Sequence, residues 1–407
     1  MASTLKQRAI FRYLLRRHHL TQDTLGTKQG DLTRIVGDTG GLHAQDPSAP
    51  YLALWNRMIG FRKEWLDDLI FHHKKLVISH LMRVTLHIVT VEEFPKYFQA
   101  TRDSLRVFLK RRGLAHLSDL GEPHKIVMRS LRQRGPLTIS EIRKELEGAG
   151  LTLDSQALLR LVHYELAATG KIIRTGRRAG RWEWALTEDW LPSLELASCP
   201  ENEAKGWLIL KYLESYGPSS ERDIMSWTWY NLSEIRELLN ALREQKRVMR
   251  TKIMGVEEPQ WICRKDLPRI QSMGSEADTG GLKMLPEFDP LTVGLRRRWR
   301  SIIYVPSLKK KWRPHPAPGI ILCNSKIVGR YETWPYWRII FNVSPSKDVF
   351  YLIIKGVEDQ AIFRGAKEIR IDEVNGRCPS YNKKVLNNLL ARGFLITGNV
   401  AKKEVVT

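Results

Sequence analysis

Cysteine is scarce in this chain, and the four present stand far apart, at Cys199, Cys263, Cys323 and Cys378. No two of them form a CxxC pair, so the sequence offers neither a zinc motif nor a disulfide framework. No apolar run approaches the roughly 18 residues of a membrane-spanning helix. The first twenty residues are basic and amphipathic and lack the apolar centre of a signal peptide. We therefore expect a cytoplasmic protein without membrane attachment, metal or cofactor.

Acidic residues are fewer than basic residues. The chain has 44 Asp and Glu against 66 Lys and Arg, which gives a formal net charge of +22. Strongly basic proteins usually bind nucleic acid or an anionic membrane surface. Hydrophobic residues make up 43% of the 407 positions, enough to form packed cores in two to four structural units. The composition therefore indicates a globular protein whose partner is a nucleic acid or an anionic membrane surface.

The clearest structural pattern lies in residues 124–186. Thr138 with Glu141 forms a capping box at the start of one helix, and Asp154 or Ser155 caps the next. Two β-rich runs follow, separated by a turn rich in glycine and arginine. Three helices followed by a two-stranded ribbon with a basic tip are typical of a winged helix.

Residues 204–263 repeat this order. Ser220 opens one helix and Asn231 caps another, whose apolar residues recur at helical spacing. Two wing strands then surround Gly255. The repetition favours two tandem winged helices, and residues 5–90 fit a third, more distorted copy.

The C-terminal part has a different composition. Short β-rich runs alternate with glycine and proline, which predicts a small β-barrel or sheet, and a last helix spans Lys383–Leu390. The predicted strands are Ile302–Val305, Gly319–Cys323, Lys326–Tyr331, Arg338–Val343 and Val349–Lys355. The fold class is therefore α+β. The predicted domain limits are 1–120, 121–195, 196–275 and 282–407.

The stretch Gly40–Pro47 combines turn-forming glycines with two polar residues, His43 and Gln45. If this stretch is extended, both side chains point to the same side, because they are two positions apart. An imidazole and a carboxamide in that arrangement can hold one water molecule between a donor and an acceptor. A loop with a polar face is the simpler interpretation of this stretch taken alone.

Three basic groups are candidates for DNA binding. Their arginines and lysines can contact phosphates and their tryptophans can stack on exposed bases, although solvated basic loops are an alternative. They are the wing tip with Arg177, Arg178 and Arg181, the cluster Arg296, Arg297, Arg298, Trp299 and Arg300, and the cluster Lys309, Lys310, Lys311, Trp312 and Arg313.

Two carboxylates, Glu287 and Asp289, occupy alternate positions between Pro286 and Pro290. Such a pair can act as acid and base, or it can cap helices and hold arginines. The residues alone slightly favour the structural role.

Several motifs together resemble one family. The stretch Gly41–Pro47, followed by Tyr51–Trp55, resembles the signature of the AlkZ-type DNA glycosylases, a winged-helix family that also contains YcaQ. Met82–His87, which reads M-R-V-T-L-H, is similar to the family's M-R-G-T-L-H motif, and Leu285–Pro290 resembles its L-P-x-F-D segment. Ile327–Arg330 is similar to a hairpin of the family.

The resemblance covers about residues 5–331. It implies three tandem winged helices around a concave DNA-binding surface, a C-terminal β-barrel, and excision of N7-alkylated guanines, with some members unhooking interstrand crosslinks. The family's catalytic motif is Gln or His, a small apolar residue, then Gln or Asp, which places catalysis at His43 and Gln45. This sequence has His43 where the best-known members have Gln, and Val84 where they have glycine. The candidates for a supporting role are Asp46, Arg83, Thr85, His87, Glu287 and Asp289.

The chemistry of such a reaction suits these residues. An N7-alkylated guanine is cationic and already a good leaving group, so the site must mainly place a water under the sugar C1′ and stabilise an oxocarbenium-like transition state. We assign Gln45 to water positioning, His43 to general base or second positioning, and Asp46 to charge stabilisation.

The sequence thus predicts a monofunctional DNA glycosylase that acts as a nucleoid-associated monomer on double-stranded DNA with alkylated bases. A non-catalytic winged-helix regulator fits the charge and the fold equally well, and an RNA-binding protein is a weaker alternative.

Overall fold

A computed structural model describes residues 4–111, 121–273, 281–298, 318–333, 337–341 and 345–405, apart from the side chains of 296–298. The predicted strand Ile302–Val305 lies outside the described residues. Within them, the structure contains both helices and strands throughout the chain.

The first part of the chain carries the glycine-rich stretch on a small sheet. Its elements are α1 (Gln7–Arg17), α2 (Asp31–Asp38), β1 (Leu42–His43), α3 (Ala49–Trp55), α4 (Lys63–Asp67), β2 (Leu76–His80), β3 (Leu86–Thr90) and α5 (Phe94–Arg111). The strands pair antiparallel in the order β1-β3-β2, so β3 is central. A π-helical turn, Asp68–His72, continues α4, and a 3₁₀ turn, Met82–Val84, joins β2 to β3. That this part is a third winged helix stays a prediction.

The second part has the predicted order of helices and wing. Its elements are α6 (Glu122–Arg134), β4 (Leu137–Thr138), α7 (Ile139–Gly148), α8 (Ser155–Arg160), β5 (Ile172–Arg178), β6 (Arg181–Leu186) and α9 (Thr187–Trp190), with π-helical Leu161–Ala167 after α8. The capping box is confirmed, because the side chains of Thr138 and Glu141 each accept from the other residue's backbone N–H. Asp154, and not Ser155, accepts the capping hydrogen bond of α8.

The third part repeats this arrangement. Its elements are α10 (Glu201–Tyr216), α11 (Glu221–Thr228), α12 (Leu232–Glu244), β7 (Val248–Ile253), β8 (Val256–Cys263) and α13 (Leu267–Ser272). The caps predicted at Ser220 and Asn231 are confirmed, since each side chain accepts from the N–H three residues on. The β7–β8 turn has Gly255 at φ +76°, a left-handed conformation that suits glycine.

The C-terminal part is built on one seven-stranded sheet. Its elements are β9 (Leu282–Leu285), α14 (Pro290–Arg298), β10 (Gly319–Cys323), β11 (Lys326–Glu332), β12 (Trp337–Phe341), α15 (Lys347–Arg364), β13 (Glu368–Val374), α16 (Lys383–Leu390), β14 (Leu395–Thr397) and β15 (Val400–Glu404). The strand order is β14-β15-β13-β12-β11-β10-β9, with β12 and β13 parallel and the other pairs antiparallel. β9 and β14 are unpaired edges among the described residues, so the strands in these ranges form an open sheet, and closure into a barrel stays a prediction. The four predicted domain limits stay predictions.

One predicted strand is wrong. Val349–Lys355 belongs to the helix α15, and its β-branched and aromatic residues form part of a helical stripe. The side chain of Ser346 caps this helix, and Gly365 ends it with φ +72°. The buried hydrophobic side chains are Phe350, Ile353, Ile354, Val357 and Ala361, which recur at helical spacing and pack on the sheet. Helical burial therefore overrides the strand propensity of the segment. The predicted helix Lys383–Leu390 is confirmed as α16.

A buried ion pair joins the first part of the chain to the segment after β9. Arg57 and Asp289 are both fully buried, and the guanidinium donates two hydrogen bonds to the carboxylate, at 2.6 and 2.9 Å. Nearby, Asn56 and Gln360 donate to the carbonyl of Met284. These contacts fix the L-P-E-F-D segment against the helix α3.

Candidate active site

The glycine-rich stretch enters the site through a tight turn. Gly40 and Gly41 have φ of +74° and +90°, and a Cβ on Gly41 would lie 3.1 Å from the carbonyl oxygen of Ile88. Glycine is therefore needed for the close approach to β3. After the turn, His43 pairs with His87, and the N–H of Ala44 donates to the Leu86 carbonyl at 2.9 Å.

The imidazole of His43 is buried among aromatic rings. Its side chain is 6% exposed, and its ring centroid lies 4.4 Å from that of His87 at an angle of 49°. The Phe288 ring lies 6.4 Å away on the L-P-E-F-D segment. Three of the four motif segments that the sequence singled out therefore meet at His43.

The neighbouring imidazole of His87 is held neutral. Burial, followed by the charge of Arg83, lowers the pKa of His87 to about 3. Its Nδ1 lies 2.8 Å from the carbonyl oxygen of Thr85, so Nδ1–H donates there and Nε2 is left as an acceptor. Among the described residues, Nε2 has no hydrogen-bond partner.

Gln45 lies differently from the prediction. The strand ends at His43, and Gln45 follows at a bend with an exposed side chain. Its Oε1 accepts a long hydrogen bond of 3.4 Å from the N–H of Leu86, which begins β3. Both candidate catalytic residues therefore contact the start of β3, but His43 is buried and Gln45 faces outward.

The turn before β3 contains two strained residues. Arg83 and Val84 have φ of +58° and +56°, and both are buried. Arg83 Nη1 donates to the Trp227 carbonyl at 3.2 Å, and Thr85 Oγ1 donates to that of Met82 at 3.0 Å. The position at which the related motif has glycine thus adopts a backbone conformation that favours glycine and is unusual for valine.

The candidate carboxylates are in two different environments. Asp46 accepts hydrogen bonds from the N–H and the hydroxyl of Ser48, at 2.7 and 2.8 Å. It lines a cleft of about 380 Å³ together with Glu287 and Arg364. Asp289 is engaged by Arg57 inside the protein. This geometry matches the structural role for Asp289 and leaves Asp46 and Glu287 on an accessible surface.

A larger groove of about 810 Å³ opens beside Gln45, between the first and second parts of the chain. Burial lowers the pKa of His80 to about 3 and that of His163 to about 4, and the charge of Arg174 contributes to both. The groove is lined by two arginines, two histidines, two aromatic rings, two glutamines, one aspartate and three apolar side chains: Arg160, Arg174, His80, His163, Phe108, Tyr164, Gln45, Gln156, Asp154, Leu86, Ala157 and Leu159. A groove with this lining can accommodate a polyanion with stacked bases.

The predicted DNA-binding residues are only partly described. At the exposed wing tip, Arg177 stacks on Trp182 at 4.1 Å, and Arg181 donates to Ser140. Arg178 is paired with the carboxylates of Glu141 and Glu183. Arg296, Arg297 and Arg298 lie in α14, and nothing is described of their side chains. Outside the described residues lie Trp299, Arg300, Lys309, Lys310, Lys311, Trp312 and Arg313.

Sequence reasoning missed the groove. Arg174, His80 and His163 come from separate parts of the chain, and only packing brings them together. One signal was present, since Arg174 interrupts the apolar start of the strand β5. In the described ranges, no group of three metal-ligating side chains occurs and no helix is long and apolar enough to cross a membrane.

A family model described as DNA glycosylase AlkZ-like matches residues 36–333, which contain all four motif segments. No curated protein matches the chain. Among solved structures, the chain is similar to the Streptomyces sahachiroi DNA glycosylase AlkZ, with a TM-score of 0.69 and 16% identity over 92% of this chain and 100% of that chain. This likeness confirms the mixed α+β fold, while the number of winged helices stays a prediction.

Proposed function

The chain belongs to the AlkZ-like DNA glycosylase family, and from that membership we propose that it hydrolyses the N-glycosidic bond of N7-alkylated guanines in double-stranded DNA. The observation that supports this proposal is the meeting of three motif segments at His43, between the rings of His87 and Phe288. Gln45, two positions along the chain, accepts a hydrogen bond from the Leu86 N–H and lines the groove.

The proposed reaction needs little acid catalysis. The alkylated base carries a positive charge and leaves as a neutral purine once the bond to C1′ breaks. What the protein supplies is a placed water and a favourable electrostatic environment for the developing oxocarbenium ion. In this proposal the acidic residues Asp46 and Glu287 provide negative potential at the cleft that they share.

Gln45 and His43 hold the water in this scheme. A carboxamide oxygen has two acceptor sites, and Leu86 N–H occupies one of them on Gln45. The other accepts a hydrogen from the water, while a ring nitrogen of His43 accepts its second hydrogen and takes the proton as the bond to C1′ forms. The neutral His87, fixed by the Thr85 carbonyl, packs against His43 without adding a competing positive charge.

An excision assay tests the proposal. The full chain is incubated with a duplex containing one N7-methylguanine, and hot alkali then cleaves the abasic sites. We expect alkali-dependent cleavage at the lesion and intact strands without alkali, as for a monofunctional enzyme. Strand cleavage without alkali would contradict the monofunctional assignment. Binding of the duplex without any excision would favour the winged-helix regulator.

A further inference from the structure

The side chain of Arg174 is buried without an acidic partner. It is 8% exposed on the strand β5, and its guanidinium lies 4.5 Å from the ring centre of Trp182 and 5.2 Å from that of Trp184. Its Nε is buried and has no hydrogen-bond partner among the described residues. No ion pair between Arg174 and a described carboxylate is formed. A buried arginine in this state is unusual, because buried charges are normally paired.

Three carboxylates of the same winged helix have other partners. Glu183 pairs with Arg178, and Glu165 pairs with Arg160. Asp154, which lines the same groove, caps the helix α8 through the N–H of Ala157. The tryptophans keep Arg174 in one place by stacking but do not neutralise its charge. The partner of this cation is therefore expected to come from outside the chain.

The place of Arg174 suggests what that partner is. The residue lines the groove that also contains Gln45 and the rings of Phe108 and Tyr164. A cationic N7-alkylated base would be repelled by an unpaired guanidinium, whereas a phosphodiester would be attracted and can accept two parallel hydrogen bonds from it.

We propose that Arg174 is an anion site that binds a backbone phosphate of the damaged strand next to the nucleotide being excised. This assignment rests on the proposed function as far as the lesion is concerned, but the anion site itself does not depend on it. By gripping the strand in the groove, Arg174 positions the lesion over Gln45. It is a positioning residue and takes no part in bond breaking.

The anion site is tested first without DNA. Inorganic phosphate is titrated into the full chain while thermal unfolding is followed, for wild type, Arg174→Gln and Arg132→Gln. Arg132 lies on the same winged helix, is exposed and pairs with Glu188, so it controls for loss of one positive charge. We expect phosphate to raise the melting temperature of wild type and Arg132→Gln by the same amount, and that of Arg174→Gln by less. Equal shifts in all three proteins would overturn the site.

The second test uses DNA. For a duplex with one N7-methylguanine, the slope of log affinity against log salt should be less steep for Arg174→Gln than for wild type by about 0.9. This difference corresponds to roughly 8-fold weaker binding at 0.1 M salt. Arg174→Lys, which keeps the charge, should restore the slope. A methylphosphonate, which is uncharged, is then placed in turn at each phosphate around the lesion.

At one position next to the lesion, the methylphosphonate should weaken DNA binding by wild type but not by Arg174→Gln. The same substitution should slow excision by wild type. If every position affects the two proteins alike, Arg174 contacts no backbone phosphate and the proposal is wrong. If wild type binds the duplex and shows the position-specific effect but does not excise, the proposed function fails while the anion site stands.

Discussion

At the scale of single residues, Gln45 is the most direct test of the chemistry. Its side chain is exposed and bound only weakly, by one 3.4 Å hydrogen bond, so its loss should not disturb the fold. We expect Gln45→Ala to reduce excision of N7-methylguanine by roughly 10²-fold or more, as for a lost positioning contact. DNA affinity should stay nearly unchanged, because arginines and lysines elsewhere hold the phosphates. Single-turnover rates and a binding isotherm give both values, and a wild-type rate in Gln45→Ala would redirect attention to Glu287.

His43 permits a test of the proton acceptor. His43→Ala should slow excision, whereas His43→Gln should retain much of it, because a carboxamide can still hold the water. If His43 takes the proton, the wild-type rate should fall on the acidic side of the pH profile as the imidazole becomes protonated. The profile of His43→Gln should be flat there. Parallel profiles for the two proteins would mean that His43 only positions the water.

His87 should make stability depend on pH. Its pKa in the folded state, about 3, lies below the value of about 6.5 in an unfolded chain, so below pH 6.5 the unfolded state takes up a proton that the folded state does not. The free energy of unfolding is therefore not reduced by His87 above pH 6.5, and it declines as the pH falls from 6.5 towards 3. Urea denaturation at several pH values between 3 and 6.5 measures how the free energy of unfolding changes with pH. For His87→Leu this change should be smaller than for wild type by about 1.4 kcal/mol per pH unit. An unchanged slope would show that His87 is accessible to protons in the folded state.

At the scale of elements, the turn Met82–Val84 contains the valine that stands where the related motif has glycine. Normally a Gly variant is less stable than an Ala variant by about 0.5–1 kcal/mol. At Val84, with φ +56°, we expect the opposite order, with Val84→Gly more stable than Val84→Ala by about 1 kcal/mol. Both variants lose the buried side chain, but only glycine relieves the left-handed strain. Chemical denaturation of Val84→Gly and Val84→Ala measures this difference. The ordinary order would show that the turn is not strained.

Elements with local signals were the ones that the sequence predicted well. The caps at Thr138, Ser220 and Asn231 need only residues three positions apart, so they can be recognised without the fold. The helix α15 was missed because its residues favour a strand when considered locally. The cap at Ser346 and the stop at Gly365 were local signals that the strand interpretation overlooked, and the remaining evidence is burial against a sheet assembled from distant segments. Propensity decides little where tertiary packing differs from it.

At the scale of the whole molecule, the candidate site was only half visible in the sequence. Motif resemblance identified the segments that meet at His43, because each is a short, contiguous run. The groove beside Gln45 was not predictable, since Arg174 and His80 reach it from different parts of the chain. The ion pair between Arg57 and Asp289 was likewise invisible, because 232 positions separate its partners. Sites formed by residues that are distant in sequence leave no pattern that can be recognised along the chain.

The net charge of +22 leads to a prediction about the entire DNA-binding surface. Affinity should fall steeply with salt and show little preference for sequence, because each phosphate contact releases counterions whatever the bases are. Charge reversal at Arg297 or Lys310 should weaken binding to damaged and undamaged duplexes alike, since a phosphate contact carries no information on the lesion. Excision at saturating protein should then be unaffected, in contrast to Gln45→Ala, which slows the reaction at any protein concentration. Fluorescence anisotropy across a salt series, with two unrelated duplexes, measures this. An affinity that does not change with salt, or one duplex strongly preferred over the other, would point to a sequence-specific regulator and against a repair enzyme that must survey all DNA.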